Sequence, residues 1–180
     1  GGVRKLGIPT VVDRVIQQAI AQKLQNIWEP LFSDSSYGYR PKRSAGQAIQ
    51  KVKEYAEEGY RYAVSVDLSK YFDTLNHELL MNLLHKQIQD MRVLSLIKKY
   101  LKSGVMENGV VCKTEEGSPQ GGPLSPLLAN IYLNEFDWEM NNRGVKLVRY
   151  ADDIVVFAKS KRAAERQLES CRKYLEGRLR

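Results

Sequence analysis

Apolar residues recur at three- and four-residue spacing over Val12, Val15, Ile16, Ala19, Ile20, Leu24 and Ile27, the period of one helix face. Thr10-Val-Val-Asp13 has the form of a capping box with Asp in place of the commoner Glu. Pro9 blocks extension backwards, and Pro30 sets the end near Trp28. A second helix is predicted over about 44–57, ending near Gly59. The pattern then switches to period two. Tyr62, Val64 and Val66 share one face of a strand, and Ala63, Ser65 and Asp67 share the other. The bulky face is expected in the core, and the small polar face, ending in a carboxylate, can sit against a ligand. Asn76 is a natural N-cap for a helix over about 76–87, and another is predicted over about 91–101. Residues 105–111 read as a hairpin with Asn108-Gly109 in the turn. A long helix over about 124–142 precedes a second hairpin, 146–150 and 154–158. Its exit strand, Ile154-Val-Val-Phe-Ala158, is apolar on both faces and is therefore expected at the centre of the sheet. A last helix is predicted over about 162–179.

This order gives an α+β fold, with a small antiparallel sheet backed by helices. Composition agrees with one globular domain: 180 residues, 43% hydrophobic and 27% charged. No apolar run approaches the length of a membrane span, so no membrane partner is expected. Gly1–Pro9 lacks an apolar signal segment, and without an initiator Met the chain reads as a fragment. The net charge of +7 is spread along the chain and points to a polyanionic partner, nucleic acid first. Cys112 and Cys171 fit no metal-ligand spacing and read as free thiols in a reducing compartment. His77 and His85 lie two helical turns apart, too far to share a metal.

The candidate chemistry is carboxylate chemistry. Asp67 ends a strand, and Asp152 and Asp153 occupy a hairpin tip. If the two strand ends are neighbours, three carboxylates converge on one sheet edge. Two divalent ions about 3.5–4 Å apart need carboxylates from rigid elements, and magnesium takes oxygen ligands and keeps waters. An Asp pair at a turn is equally an ordinary turn feature, because its side chain bonds its own backbone. Ser118-Pro-Gln-Gly-Gly-Pro123 is either a simple turn before a helix or a close-approach loop whose Gln120 amide reads a ligand edge. Phe72 is either core or the wall of a sugar pocket.

Together these pieces resemble one family. Tyr150-Ala-Asp-Asp153 looks like the Tyr-x-Asp-Asp box of reverse transcriptases, and Tyr62–Asp67 followed by Leu-Ser-Lys-Tyr-Phe-Asp73 looks like their first catalytic-aspartate motif. The stretch 117–132, Gly-Ser-Pro-Gln-Gly-Gly-Pro-Leu-Ser-Pro-Leu-Leu-Ala-Asn-Ile-Tyr, resembles the fingers–palm motif in its group II intron form. Leu6-Gly-Ile-Pro-Thr-Val-Val-Asp-Arg14 and Ser36-Tyr-Gly-Tyr-Arg-Pro-Lys-Arg-Ser44 are similar to the preceding finger motifs of group II intron maturases.

The resemblance implies the fingers (about 1–61 and 104–122) and palm (about 62–103 and 123–180) of a right-hand polymerase, truncated before the thumb and downstream domains. It implies RNA-directed DNA synthesis by two-metal nucleotidyl transfer, together with an intron RNA-binding, splicing role. Asp67 and Asp152 would bind both magnesium ions (manganese a substitute), Asp153 would be a third acid, and the Leu68 backbone would touch a metal. Phe72 would pack under the deoxyribose and exclude a 2′-hydroxyl. Gln120, Arg4, Lys5 and Arg14 would contact nucleotide or template. The implied partners are a group II intron RNA template, a DNA primer or target and deoxynucleoside triphosphates; a homodimer is expected if truncation bares apolar surface. The implied location is cytoplasmic, in a bacterium or an organelle. The related alternatives are a CRISPR-associated, retron or diversity-generating reverse transcriptase, and a splicing cofactor with an idle polymerase site.

Overall fold

A computed structural model describes residues 9–66, 68, 75–103, 105–107, 110–112 and 122–179. The chain divides into two compact units. The first comprises residues 1–30 and 70–131, the second residues 31–69 and 132–180.

In the first unit, α1 (Val11–Trp28) starts where Thr10 Oγ1 accepts the Asp13 amide at 3.2 Å. A short 3-10 turn, Glu29–Leu31, follows it into the second unit. The helix forms as its apolar periodicity predicts, but its buried side is different. Gln17, Ala21, Leu24 and Trp28 are buried, whereas Val12, at 67% exposure, and Val15, Ile16 and Ile27 face outwards. The spacing of buried positions is the same four-and-three helical period, rotated around the axis. α3 (His77–His85) is capped by Asn76, whose side chain accepts the Leu79 amide. It packs on α4 (Met91–Lys102), and Leu80 and Leu84 of α3 and Ile97 and Leu101 of α4 are fully buried. β2 (Val105–Glu107) and β3 (Val110–Cys112) pair antiparallel as a separate two-stranded sheet.

The second unit holds α2 (Ala45–Glu57), β1 (Tyr62–Val66), β4 (Lys146–Tyr150), β5 (Asp153–Ala158) and α6 (Lys161–Arg178). α5 (Ser125–Asn142) runs from the first unit into the second. Ser44 and Gln47 form a reciprocal capping box on α2. The three strands lie in the order β1-β5-β4, all antiparallel, with the apolar β5 at the centre as its sequence requires. One sheet face carries Val148, Val155 and Phe157 against Tyr37, Ala48, Val52, Tyr55 and Tyr60. The other carries Leu147, Ile154 and Val156, fully buried. α6 packs on β1 and β5, with Cys171 Sγ donating to Met140 Sδ at 3.5 Å. Each fully buried aliphatic side chain contributes about 1.5–3 kcal/mol, so β5 is anchored immediately beyond Asp153. In β1 the bulky face is buried only towards its end: Tyr62 is exposed, Val64 half-buried and Val66 buried.

Candidate active site

The β4–β5 hairpin closes in two residues. Tyr150 pairs with Asp153, leaving Ala151 and Asp152 in the turn. Ala151 has φ +57°, a left-handed conformation that costs a non-glycine residue about 1–2 kcal/mol. Such a geometry persists only where the surroundings over-determine it.

The surroundings here are explicit. The loop before α2 runs beside β4 as a short pseudo-strand: the Arg149 amide donates to Ser35 O at 2.8 Å, and the Tyr37 amide donates to Arg149 O at 2.9 Å. Gly38 lies against the hairpin tip, where an added Cβ would stand 2.4 Å from Ala151 N and 3.1 Å from the Tyr150 carbonyl carbon. A side chain there would have to push the tip aside. The loop has two further positive-φ residues, Tyr39 and Lys42. It is held by Arg40, whose buried Nη1 donates to Ser33 O and Ser36 O, both at 2.8 Å.

Beneath the tip lies a buried charge pair. Arg149 and Asp137, each with a side chain 0% exposed, meet through Nε at 2.9 Å and Nη2 at 2.6 Å. Arg149 Nη2 also donates to Ser36 Oγ at 2.9 Å, and Nη1 donates to Ala151 O at 2.9 Å. α5 supplies Asp137 from a polar row. Asn134 Oδ1 accepts the Ser33 amide, and its Nδ2 donates to Leu31 O. Asn141 Nδ2 donates to Ser33 Oγ and its Oδ1 accepts from Ser35. Residues 134, 137 and 141 lie on one helix face, which therefore clamps both the loop and the strand that enters the turn.

Asp152 is half-buried and Asp153 exposed. Among the described residues neither carboxylate has a hydrogen-bond or ion-pair partner, unlike Asp34, Asp90 and Asp137. Val66, the last residue of β1, sits opposite Ile154, the residue after Asp153. Leu68 is buried. Arg14 is exposed on α1, in the other unit. Asp67, Phe72, Gln120, Arg4 and Lys5 lie outside the described residues. Sequence reasoning singled out the Asp pair but missed Arg149, Asp137 and the asparagines of α5. Polar residues at helical spacing within an otherwise apolar helix were the available signal.

Comparison with known proteins adds the family. The pattern described as "Reverse transcriptase (RNA-dependent DNA polymerase)" matches residues 1–178. Protein YkfC of Escherichia coli (strain K12) is 39% identical over 218 aligned residues, covering 100% of this chain and 57% of YkfC. The group II intron-encoded protein LtrA of Lactococcus lactis subsp. cremoris is 47% identical over 136 residues, covering 75% of this chain and 22% of LtrA. The chain thus spans less than two thirds of either relative. Among solved structures, a partial Cas6-RT-Cas1–Cas2 complex shares the fold with a TM-score of 0.54 and 28% identity, covering 96% of this chain and 32% of that one. The antiparallel sheet, the helices behind it and the Tyr-x-Asp-Asp turn are those of this family, and the chain belongs to the reverse transcriptases.

Proposed function

We propose that this chain carries the catalytic centre of a group II intron-encoded RNA-directed DNA polymerase, with Asp67, Asp152 and Asp153 as its acids. One observation carries the reading. β1 and β5 are paired so that Val66, the last residue of β1, faces Ile154, and in the sequence the residue after Val66 and the residue before Ile154 are both aspartates. This register supports bringing the Asp67 carboxylate to the end of the sheet where Asp152 and Asp153 stand.

Divalent metals are general in this family, and the donors suit them. The tip offers hard oxygen ligands, unpaired among the described residues, and magnesium prefers such ligands while keeping waters for substrate phosphates. Asp67 and Asp152 would hold two magnesium ions, with Asp153 beside them and the Leu68 carbonyl a further donor; manganese would substitute. When bound, the metals supply charge neutralisation at the phosphates and activation of the primer 3′-hydroxyl. The protein's own part is positioning and electrostatic stabilisation as the primer oxygen attacks the α-phosphorus and pyrophosphate leaves. By motif position, Phe72 excludes the 2′-hydroxyl, Gln120 contacts the incoming nucleotide, and Arg4, Lys5 and Arg14 meet phosphates. In this reading the fingers comprise about 1–61 and 104–122 and the palm about 62–103 and 123–180.

The template is an intron RNA, the primer a DNA end, and the same protein binds its intron for splicing. LtrA, 47% identical and named as group II intron-encoded, supports this. The Cas6-RT-Cas1–Cas2 likeness, at 28%, supports a CRISPR-associated enzyme as the second reading. Primer extension on an RNA template, with deoxynucleotides against ribonucleotides, tests the activity in the complete protein. Magnesium-dependent deoxynucleotide addition is expected. Tight intron binding without extension would leave only the splicing role.

A further inference from the structure

We propose that Arg149 is a positioning residue for the reaction: its guanidinium, clamped by Asp137, holds the peptide between Ala151 and Asp152 and so sets where the Asp152 carboxylate stands. The proposal rests on the reading of Asp152 as a metal-holding acid.

A buried ion pair is a poor device for stability. Removing two charges from water costs several kcal/mol per ion, and well-packed apolar residues often serve stability as well. Stability alone therefore gives weak grounds for Arg149–Asp137 at 0% exposure. What an apolar pair cannot supply is a directed donor. Arg149 uses its rigid planar fork in three directions at once: Nε and Nη2 donate to the two Asp137 oxygens, Nη2 also donates to Ser36 Oγ, and Nη1 donates to Ala151 O. The last acts on the turn itself. Ala151 O belongs to the peptide whose nitrogen is that of Asp152, so fixing this oxygen fixes the peptide plane from which Asp152 projects. The same peptide unit follows a residue held at φ +57°, a geometry that relaxes if it is released. Gly38 closes the other side, leaving the tip no room to move towards the loop. Ser36 ties the two halves together, because its hydroxyl meets Arg149 and its backbone bridges the same residue.

Supporting residues of this kind around metal ligands alter metal affinity or activity by about 10–100-fold when replaced. The test uses the complete protein and two variants that perturb the clamp differently. Arg149→Met with Asp137→Leu removes both charges and the donor to Ala151. Gly38→Ala keeps the ion pair and presses a methyl group on Ala151. Circular dichroism and thermal melting report folding, and a magnesium titration of primer extension reports the site. Both folded variants are expected to need about tenfold more magnesium for half-maximal rate and to lose about 10–100-fold in kcat, with template affinity unchanged. Loss of fold alone would not move the magnesium midpoint of the surviving molecules. If the double variant fails to fold, Gly38→Ala decides. Folded variants with an unaltered magnesium midpoint and kcat would overturn the clamp, provided Asp152→Ala is inactive. An active Asp152→Ala would instead overturn the site reading on which the clamp rests.

Discussion

Two strand pairs among the described residues, β2–β3 and β4–β5, differ in the residues that join them. Between β2 and β3 the sequence reads Asn108-Gly109, the residue pair that tight hairpin turns favour on local grounds. That hairpin forms a two-stranded sheet with strands of three residues each, an arrangement of marginal stability by itself. Between β4 and β5 the turn is Ala151-Asp152, with Ala in a conformation that glycine prefers. There the local preference is overruled by contacts far away in sequence: Gly38, Ser36 and Asp137. A hairpin that has to present carboxylates at a fixed place is held from outside, and the strain it stores is a mark of that demand.

The largest expected effect breaks the comparison at the carboxylates. Asp152→Ala is expected to lower the extension rate by about 10³-fold or more, while its partly exposed position leaves the melting temperature nearly unchanged; single-turnover kinetics and calorimetry check the pair of outcomes. Hydrogen exchange contrasts the two hairpins directly. Amides of Ile154 and Val156, at the centre of the larger sheet, are expected to exchange about 10³-fold more slowly than those of β2 and β3. Arg149→Met alone leaves Asp137 buried and unpaired, which is expected to cost about 3–5 kcal/mol in urea unfolding, in contrast to the paired replacement.

Cys171 reports on the same unit. Burial pushes its thiol up to about 11 from the usual 9.0. A raised thiol pKa favours the neutral form in the folded state, so its contribution is fully present below pH 9 and is lost as pH rises towards 11, about 3 kcal/mol in all. Unfolding free energies measured across that window should fall, less so in Cys171→Ala. The smallest expected effect is relief of the strained turn: Ala151→Gly should gain about 1 kcal/mol of stability, without a gain in activity, because a freer tip is a poorer metal holder.

Much of the fold was legible because its signals are local. Thr10, Ser44 and Asn76 cap the helices that begin after them, and the unbroken apolar run Ile154–Ala158 marks the central strand. The helix α1 was legible as a helix, but its buried side was not. Periodicity gives the element, whereas tertiary packing chooses Gln17 and Ala21 over Val12 and Val15. At the site, the Asp152–Asp153 pair and the strand leading to Asp67 stood out by residue type. Arg149 did not, because its partners lie 12 and 113 residues away on different elements, and an arginine in a strand carries no sign that it is fully buried. Ser36 and Gly38 lie in a stretch that resembles a finger motif, and locally they brace the hairpin tip.

The most direct test of the central claim, that the β4–β5 tip and the end of β1 form one metal centre, is iron-directed cleavage of the complete protein. Ferrous iron replaces magnesium, and ascorbate with peroxide generates radicals at the bound ion. The account predicts backbone cuts beside residues 67 and 152–153, competed away by magnesium and absent in Asp152→Asn. Cuts elsewhere, or the same cuts in the variant, would contradict it.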